Sequence, residues 1–465
     1  MPAVAASPLS VGSEHRVRFT DLLANGQGVA RVGAMVVFVW GGLPDETARV
    51  RVTELKKTYA VGELLEIVES SPERATPFCP VFGTCGGCQA QHLSYEGQLR
   101  WKTRLVRDAL ERIGGFAGVA VEPTIGMDLP RAYRNKMALV VRASDEGADF
   151  GFYQMRSHEF VPIAGCPVVL PQLDDEIAAL RSAGRDPSSG PELRNVKHAI
   201  ARAGAASGES VLSLTTEAAA PQLASVASNV AARVRGIVGI SNSFAPASTN
   251  AVMGRKHKLL WGRSAMEERI QVPDAPEARY RVSAASFFQI NTAMVARIFE
   301  LLAERKIGAA PVVDLYCGAG TFSIFFALRG CEVVGVEENP AAVREASANA
   351  ELNGVTARTR FLGGRVEAVL ARPEGRAVLG SAELVFLDPP RKGSDPHTLD
   401  ALGAAGVPRI WYLSCNPATL ARDLAHLREA GYTLETVQPV DLVPQTGHVE
   451  TLAFLRRGSS EGGPP

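Results

Sequence analysis

The sequence predicts an α/β protein in three parts: a small N-terminal β-barrel, a central α+β domain and a C-terminal doubly wound sheet. Alternating apolar and polar residues, interrupted by glycines, predict the barrel over residues 9–70. Mixed strand and helix patterns predict the central domain over residues 71–280. Strands that alternate regularly with helices over residues 281–457 predict a mostly parallel sheet.

The composition is that of a globular protein. Hydrophobic residues make up 46% of the 465, and 49 basic side chains balance 49 acidic ones, so net charge gives no support to a nucleic-acid partner. The most apolar stretch, residues 311–330, contains Asp314 and Arg329, so we expect no membrane span. Because the start lacks a secretory pattern and the seven cysteines are odd in number, we expect a reducing, cytoplasmic location.

The N-terminal region predicts about five short strands, and small barrels of the OB type are common nucleic-acid platforms. A barrel with only a packing role is the alternative. A cysteine-bearing loop and a helix over residues 94–113 follow. Further strands are predicted at 136–143, 149–155, 210–217 and 236–243, with a polar loop at 181–192.

The C-terminal region predicts a Rossmann-like order of elements. Its strands are expected at 311–317, 332–338, 357–363, 383–389, 409–415, 434–444 and 448–455. Its helices are expected at 290–304, 321–329, 340–353, 365–371, 397–404 and 418–430. Ligands of such sheets bind at the carboxyl ends of the strands.

The first of these strands leads into a glycine-rich turn that predicts a nucleotide site. Gly318 and Gly320 precede a helix, and Glu337 ends the next strand, where an acid binds ribose hydroxyls. This arrangement fits NAD, FAD or S-adenosylmethionine equally, and a simple tight turn is the alternative. Asp388 and the two prolines after it form a stiff turn at the same edge.

Two residues at this edge are candidates for catalysis. Cys415 directly precedes a helix, whose N-terminus favours a thiolate nucleophile, although buried cysteines are often simple packing residues. Glu450 lies where the last strand returns to the sheet and is a candidate base, with a solvated edge carboxylate as the alternative. We expect His448 to form local hydrogen bonds.

Four other cysteines predict a metal site. Cys79, Cys85 and Cys88 follow an x5, x2 spacing beside glycines, and Cys166 lies 77 residues beyond them. The spacing fits a [4Fe–4S] cluster better than zinc. The last two cysteines, Cys317 and Cys331, are expected to pack within the sheet.

Together these residues resemble the RNA uracil-C5 methyltransferase family, in the iron–sulfur branch typified by the 23S ribosomal RNA 5-methyluridine enzymes. The shared motifs are a TRAM-like barrel, the cysteine loop, YRNK (133–136), FFQIN (287–291), DLYCGAG (314–320), VGVE (334–337), LDPPRKG (387–393), SCNP (414–417) and HVET (448–451). The chain departs from its relatives at Gly363 and Gly364, which offer no polar side chain to an adenine.

The resemblance implies S-adenosylmethionine-dependent methylation of uridine C5 through a covalent adduct. By resemblance, Cys415 is the nucleophile and Glu450 the base. The residues expected to contact the methyl donor or the uracil are Gln289, Tyr316, Glu337 and Asp388. The residues expected to hold a [4Fe–4S] cluster are Cys79, Cys85, Cys88 and Cys166.

We expect the protein to be a monomer that binds RNA. Ribosomal RNA of the 23S type is the favoured substrate, and transfer RNA is the alternative. A flipped uridine could stack on Phe287 or Phe288, for which core packing is the other reading. Local basic groups at 131–136, 255–258 and 391–392 could bind phosphates. An RNA-binding iron–sulfur protein without catalysis is the rival from another class. Cytosine-C5 methylation is disfavoured because Arg391 stands where that family carries a second cysteine.

Overall fold

The computed structural model describes residues 9–145, 147–246, 251–254 and 256–458. Across these residues the chain forms a closed barrel, a mixed sheet, a two-stranded ribbon and a doubly wound sheet. The predicted α/β architecture with an N-terminal barrel is confirmed. None of the helices in the described ranges is both long and apolar enough to cross a membrane. Arg255, one of the predicted phosphate-binding residues, lies outside the described residues.

The barrel closes in the strand order β1-β2-β3-β5-β4. Its strands are β1 (Glu14–Leu22), β2 (Gln27–Val32), β3 (Met35–Trp40), β4 (Thr47–Leu55) and β5 (Tyr59–Glu69). Exposed and buried residues alternate along β1, so that Val17 and Phe19 point inward. Gly28 and Gly42 make room for the Phe19 ring, since a Cβ at either position would lie 2.9 or 2.3 Å from it.

The central region contains a mixed sheet in the order β12-β11-β10-β9-β6-β7-β8. The elements from the cysteine loop onward are α1 (Tyr95–Arg112), β6 (Lys136–Ser144), β7 (Gly147–Tyr153), β8 (Phe160–Pro162), α2 (Pro171–Arg185), α3 (Gly190–Leu193), β9 (His198–Ala203), β10 (Ser210–Thr216), α4 (Leu223–Ala231), β11 (Ile237–Phe244), β12 (Lys256–Gly262), β13 (Ala265–Ile270) and β14 (Ala278–Ser283). The predicted polar loop at 181–192 is wrong at both ends, because α3 begins at Gly190 and only residues 186–189 lie outside helices. At its start α2 continues to Arg185, because buried Leu180 and Ala183 keep its apolar face against the sheet.

Part of the sequence assigned to the central domain packs on the C-terminal sheet instead. Val106 and Leu110 of α1 join the hydrophobic core on one face of that sheet. Met266 and Tyr280 of the β13–β14 ribbon join the core on the other face. The Tyr280 hydroxyl also donates to the Thr321 carbonyl at 2.9 Å.

The C-terminal sheet has the strand order β17-β16-β15-β18-β19-β21-β20. Its elements are α5 (Thr292–Ala303), β15 (Val312–Leu315), α6 (Thr321–Leu328), β16 (Val333–Glu337), α7 (Pro340–Leu352), β17 (Thr359–Gly363), α8 (Val366–Leu370), α9 (Pro373–Gly380), β18 (Leu384–Leu387), α10 (Pro396–Ala405), β19 (Arg409–Ser414), α11 (Pro417–Glu429), β20 (Tyr432–Val440) and β21 (Glu450–Arg457). The strands β15 to β19 are parallel, and β21 runs antiparallel to β19 with Ser414 opposite Thr451. Therefore the start of β21 and the ends of the parallel strands meet at one edge.

Candidate active site

The glycine-rich turn after β15 has a strained backbone. Tyr316, Gly318 and Gly320 all have positive φ angles, of 66°, 55° and 84°. The Tyr316 N–H donates to the Val336 carbonyl at 2.9 Å, which holds this turn beside β16. A non-glycine residue with positive φ is uncommon and is maintained only by its surroundings.

Glu337 faces the same turn from the end of β16. One of its carboxylate oxygens accepts the Gly318 N–H at 3.1 Å and the other accepts the Asn339 N–H at 2.8 Å. Backbone N–H groups and a carboxylate therefore line one cradle, as the sequence predicted for a nucleotide site. The Tyr316 side chain is partly buried, and burial raises its pKa, while the neighbouring Thr398 and Ser394 side chains oppose this rise.

Asp388 follows β18 and is hydrogen-bonded to Gln289, whose Nε2 donates to Oδ2 at 3.0 Å. Burial raises the pKa of Asp388 well above its ordinary value, and the neighbouring Glu450 carboxylate raises it further. The Gln289 backbone is fixed in turn, because Asn135 Nδ2 donates to its carbonyl at 2.9 Å. Two of the predicted donor-contacting residues thus form one hydrogen-bonded, partly buried pair.

Cys415 lies between β19 and α11, at the predicted edge. Asn416 caps α11 by accepting the Ala418 N–H at 3.1 Å. Burial raises the pKa of the Cys415 thiol to about 11, the Glu450 and Asp388 carboxylates contribute to this rise, and Arg391 opposes it. Burial and the two nearby carboxylates therefore oppose the effect that the helix N-terminus has on this thiol. The role of Cys415 as a nucleophile stays a prediction.

Glu450 lies buried at the start of β21. Burial raises the pKa of Glu450 to about 7, against the opposing charge of Arg391. A carboxyl group with this pKa can take up or release a proton near neutrality. Because the Glu450 side chain is buried, it is not the solvated edge carboxylate that the sequence left as the alternative.

His448 and Arg391 form a pair close to Glu450. The Nη2 atom of Arg391 lies 3.0 Å from the Nε2 atom of His448. Burial and the Arg391 charge lower the pKa of His448 to about 4, so the imidazole is neutral. This pair agrees with the local hydrogen-bonding role expected for His448.

The structure separates the two phenylalanines that precede Gln289. Phe288 is 1% exposed and lies 5.3 Å from the Tyr280 ring, so it is a core residue. Phe287 is 70% exposed and comes within 4 Å of the position of a Cβ on Gly318. Of the two readings left open by the sequence, core packing applies to Phe288, and Phe287 remains free to stack.

Sequence reasoning gave no role to two buried residues near the site. Asp314 accepts a hydrogen bond from the Ser323 hydroxyl at 2.5 Å, and burial raises the pKa of this carboxyl to about 7. Arg202 of β9 donates to the Ser286 carbonyl at 3.0 Å and so supports the segment that carries Gln289. Asp314 could have been found from its place near the end of a strand, whereas no pattern marks Arg202.

The four predicted cluster cysteines border a single cavity of about 200 Å³. Burial raises the pKa of Cys88 to about 12, and interaction with Cys166, Cys85 and Cys79 adds to this rise. All four are free thiols, and the Gly87 N–H points at Cys85 Sγ from 3.4 Å. In the described ranges, no group of three or more His, Cys, Asp or Glu side chains is arranged to hold a metal ion. The [4Fe–4S] site therefore remains a prediction.

Two residue pairs noted in the sequence have simple structural roles. Cys317 and Cys331 are buried in the core, as expected. At the end of β17, Gly364 donates its N–H to the Glu337 carbonyl at 2.9 Å, and the Gly363–Gly364 pair adds no side chain to the cradle.

Two family models match the chain. The model described as tRNA (uracil-5-)-methyltransferase matches residues 249–458, and the TRAM domain model matches residues 8–65. The chain is 36% identical to an RNA methyltransferase of Halalkalibacterium halodurans, over 97% of this chain and 98% of the relative. It is 38% identical to an RNA methyltransferase of Gloeobacter violaceus, over 98% of this chain and 99% of the relative.

A solved structure resembles the fold over nearly its whole length. It is the tRNA (uracil-54, C5)-methyltransferase of Pyrococcus abyssi in complex with S-adenosyl-L-homocysteine. The TM-score is 0.73 at 25% sequence identity, and the match covers 95% of this chain and all of the other.

Proposed function

This chain belongs to the tRNA (uracil-5-)-methyltransferase family of RNA methyltransferases, and we propose that it methylates C5 of uridine in RNA with S-adenosylmethionine as the methyl donor. The observation that carries the proposal is the convergence of Cys415, Glu450 and Asp388. All three lie at the edge of the sheet where the glycine-rich turn also lies, and the two carboxylates raise the pKa of the thiol.

The residues around the turn fit S-adenosylmethionine. Bound there, it would supply an electrophilic methyl group on a positively charged sulfur. Glu337 would accept hydrogen bonds from the ribose hydroxyls, for which its carboxylate is placed beside Gly318. The partly buried pair of Gln289 and Asp388 offers a polar, acidic wall suited to a cationic ligand.

Cys415 is the proposed nucleophile because C5 of uracil is a poor carbon nucleophile by itself. Addition of the Cys415 sulfur to C6 places the electron pair of the C5–C6 double bond on C5 and the O4 carbonyl. Arg391, which already lowers the pKa of the thiol, favours the thiolate needed for this addition. After C5 is methylated it still carries its hydrogen. Glu450 removes that proton, the double bond re-forms and the bond from sulfur to C6 breaks.

The cysteine cavity supports a [4Fe–4S] cluster as a second proposal. Its donor set consists of thiols alone, and the Gly87 N–H already donates to one of these sulfurs, Cys85 Sγ, at 3.4 Å. A bound cluster would link the loop of Cys79, Cys85 and Cys88 to Cys166. Its proposed role is structural.

For the RNA itself we propose 23S ribosomal RNA, with transfer RNA as the second candidate. The ribosomal proposal rests on the barrel and the cysteine loop occurring in one chain. The transfer-RNA candidate is favoured by the Pyrococcus abyssi enzyme, which acts on uracil 54 of tRNA.

One experiment tests both the activity and the substrate. Mass spectrometry would map 5-methyluridine in ribosomal and transfer RNA from a deletion strain that carries either the wild-type gene or Cys415→Ala. We expect one ribosomal position to lack 5-methyluridine in the deletion strain and in the strain that carries Cys415→Ala. The strain that carries the wild-type gene should retain it. Loss from tRNA would instead select the second candidate. Methylation that persists in the Cys415→Ala strain would contradict the proposed mechanism, and methylation unchanged by deletion would contradict the activity.

A further inference from the structure

The segment that leads into Glu450 is held by parts of the chain outside the catalytic sheet. Residues 441–449 connect β20 to β21, and we call them the base-bearing segment. The groups that bond to it come from α1, from the loop directly after Cys88, from residues 130–133 and from the segment before α5. Since these partners are hundreds of residues away, the sheet alone does not define the path of the segment.

Gln445 is the hub of these contacts. It is 3% exposed and has a φ of 69°, a left-handed conformation that a glutamine rarely adopts. Its backbone carbonyl accepts the N–H groups of both Gln89 and Ala90, at 2.9 and 3.0 Å. These two residues immediately follow Cys88, so the cysteine loop is bonded directly to the base-bearing segment.

Gln98 of α1 completes the hub. Its Oε1 accepts the Gln445 N–H at 2.9 Å, and its Nε2 donates to Gln445 Oε1 at 3.0 Å. The side-chain nitrogen of Gln445, Nε2, also donates a hydrogen bond to the Pro130 carbonyl at 3.3 Å. Every hydrogen-bonding group of Gln445 is therefore satisfied by residues from the N-terminal half of the chain. A buried residue in this state is costly to displace.

Two further contacts clamp the segment on either side of Gln445. Lys102 of α1 forms a fully buried ion pair with Asp441, and it donates to the Val443 carbonyl at 3.0 Å. Gly447 lies against the barrel, where a Cβ would be only 1.8 Å from the Ala24 carbonyl oxygen. The barrel, α1 and the cysteine loop thus all meet this segment within three to nine residues of Glu450.

We propose that Gln445 is a positioning residue for catalysis, through which the cysteine loop and α1 hold the base-bearing segment so that Glu450 can reach the proton on C5. This inference rests on the proposed function of Glu450. The base acts only after methyl transfer, so loosening the hub affects resolution of the adduct between Cys415 and RNA and leaves its formation intact.

The test compares Gln445→Leu and Gln98→Leu with a matched control, Gln438→Leu. The side chain of Gln438 also donates a hydrogen bond outside the sheet, to the Pro123 carbonyl at 2.9 Å, but it is not hydrogen-bonded to Gln445 or Gln98. Steady-state kinetics and the fraction of enzyme in a denaturation-resistant complex with methylated RNA are measured for each full-length protein. Because displacement of a catalytic group by about 1 Å costs up to roughly 100-fold in rate, we expect kcat to fall about 10- to 100-fold in the hub variants.

The readouts separate positioning from folding. We expect kcat/KM for RNA and for S-adenosylmethionine to change less than about two-fold, so that KM falls together with kcat, and the trapped fraction to rise, in both hub variants and not in Gln438→Leu. Gln98→Leu leaves Gln445, with its left-handed backbone, unchanged. If Gln445→Leu does not fold, Gln98→Leu therefore tests the positioning role by itself. Unchanged kcat in Gln98→Leu, or a lower kcat without trapped complex, would overturn the inference. Absence of any adduct between the wild-type enzyme and RNA with 5-fluorouridine, in which this resolution is blocked, would instead refute the proposed function.

Discussion

The barrel and the active-site edge differ in where their charged side chains lie: the barrel pairs them at its surface, and the edge removes acids from water. On the outer face of the barrel, Arg49 and Arg51 are paired with Glu14 at 3.0 and 3.1 Å, and all three side chains are largely exposed. At the active-site edge, the buried Glu450 and the partly buried Asp388 interact with each other, and each has a raised pKa. Exposed charges that are paired in water cost little and contribute little. Buried acids without full compensation reduce the stability of the free protein and make the edge receptive to a cation.

A cationic ligand would relieve the unfavourable electrostatics of the edge. Asp314 and Glu450, each with a pKa raised to about 7, and the thiol of Cys415, with a pKa raised to about 11, are protonated more than usual. A positively charged sulfonium at the edge would favour their ionised forms. The barrel pairs of Arg49 and Arg51 with Glu14 have no such dependence, because each cation already faces a carboxylate.

The largest expected effect is that of Glu450→Gln on turnover. Loss of a general base lowers rates by about 100- to 10,000-fold, and the methylated adduct should accumulate because its proton on C5 is not removed. Rapid-quench measurement of methyl transfer against product release would show a burst without turnover. Glu435→Gln is the control, because Glu435 is an exposed acid of β20 paired with Arg456. Normal turnover in Glu450→Gln would exclude Glu450 as the base.

The same substitution should stabilise the free protein at high pH. Glu450 has a folded-state pKa of about 7 against an ordinary 4.5, so its unfavourable ionisation in the folded state begins above pH 4.5 and is complete above pH 7. The neutral glutamine amide of the variant carries no such penalty. Urea unfolding should therefore show Glu450→Gln to be more stable than wild type by up to about 3 kcal/mol at pH 8, and by much less at pH 5. Equal stability differences at the two pH values would contradict the assigned pKa.

A smaller effect is expected on the reactivity of Cys415. A cation beside the thiol lowers its pKa by about one unit or more, so S-adenosylmethionine should shift the alkylation of Cys415 to lower pH. S-adenosylhomocysteine, which lacks the positive charge, is the matched control. Peptide mass spectrometry after timed iodoacetamide treatment would follow this cysteine alone. An identical shift with both ligands would mean that ligand charge does not control the thiol.

The smallest effect is expected on the barrel. Because exposed ion pairs contribute little, Arg51→Ala should change the melting temperature by less than about 4 °C. Its dependence on pH between 5 and 8 should match that of the wild type. A large change in a thermal melt would show that the barrel charges are not the inert pairs that their exposure indicates.

Much of the fold could be predicted because local patterns carry it. The alternation in β1 and the apolar runs of β15 and β18 reflect burial on one face or on both faces of a sheet. The strands β9 and β12 to β14 were not predicted, since their burial depends on which surfaces they meet. The ribbon of β13 and β14 shows this most clearly, because it packs against the C-terminal core.

The active site shows the same limit. Motif positions located Cys415 and Glu450 at one edge, but the pKa of the thiol could not be predicted from the adjacent helix alone. It depends on Asp388 and Glu450, which only the folded sheet brings near. The contact of Gln98 with Gln445 spans 347 positions and leaves no local pattern.

The most direct test of the central claim uses RNA with 5-fluorouridine at the target position. Fluorine at C5 cannot be removed as a proton, so the methylated intermediate cannot release the enzyme. The account predicts a denaturation-resistant complex that carries a methyl group and is attached through Cys415, as located by peptide mass spectrometry. An enzyme that methylates unmodified RNA but forms no such complex, or forms it through another residue, would contradict the account.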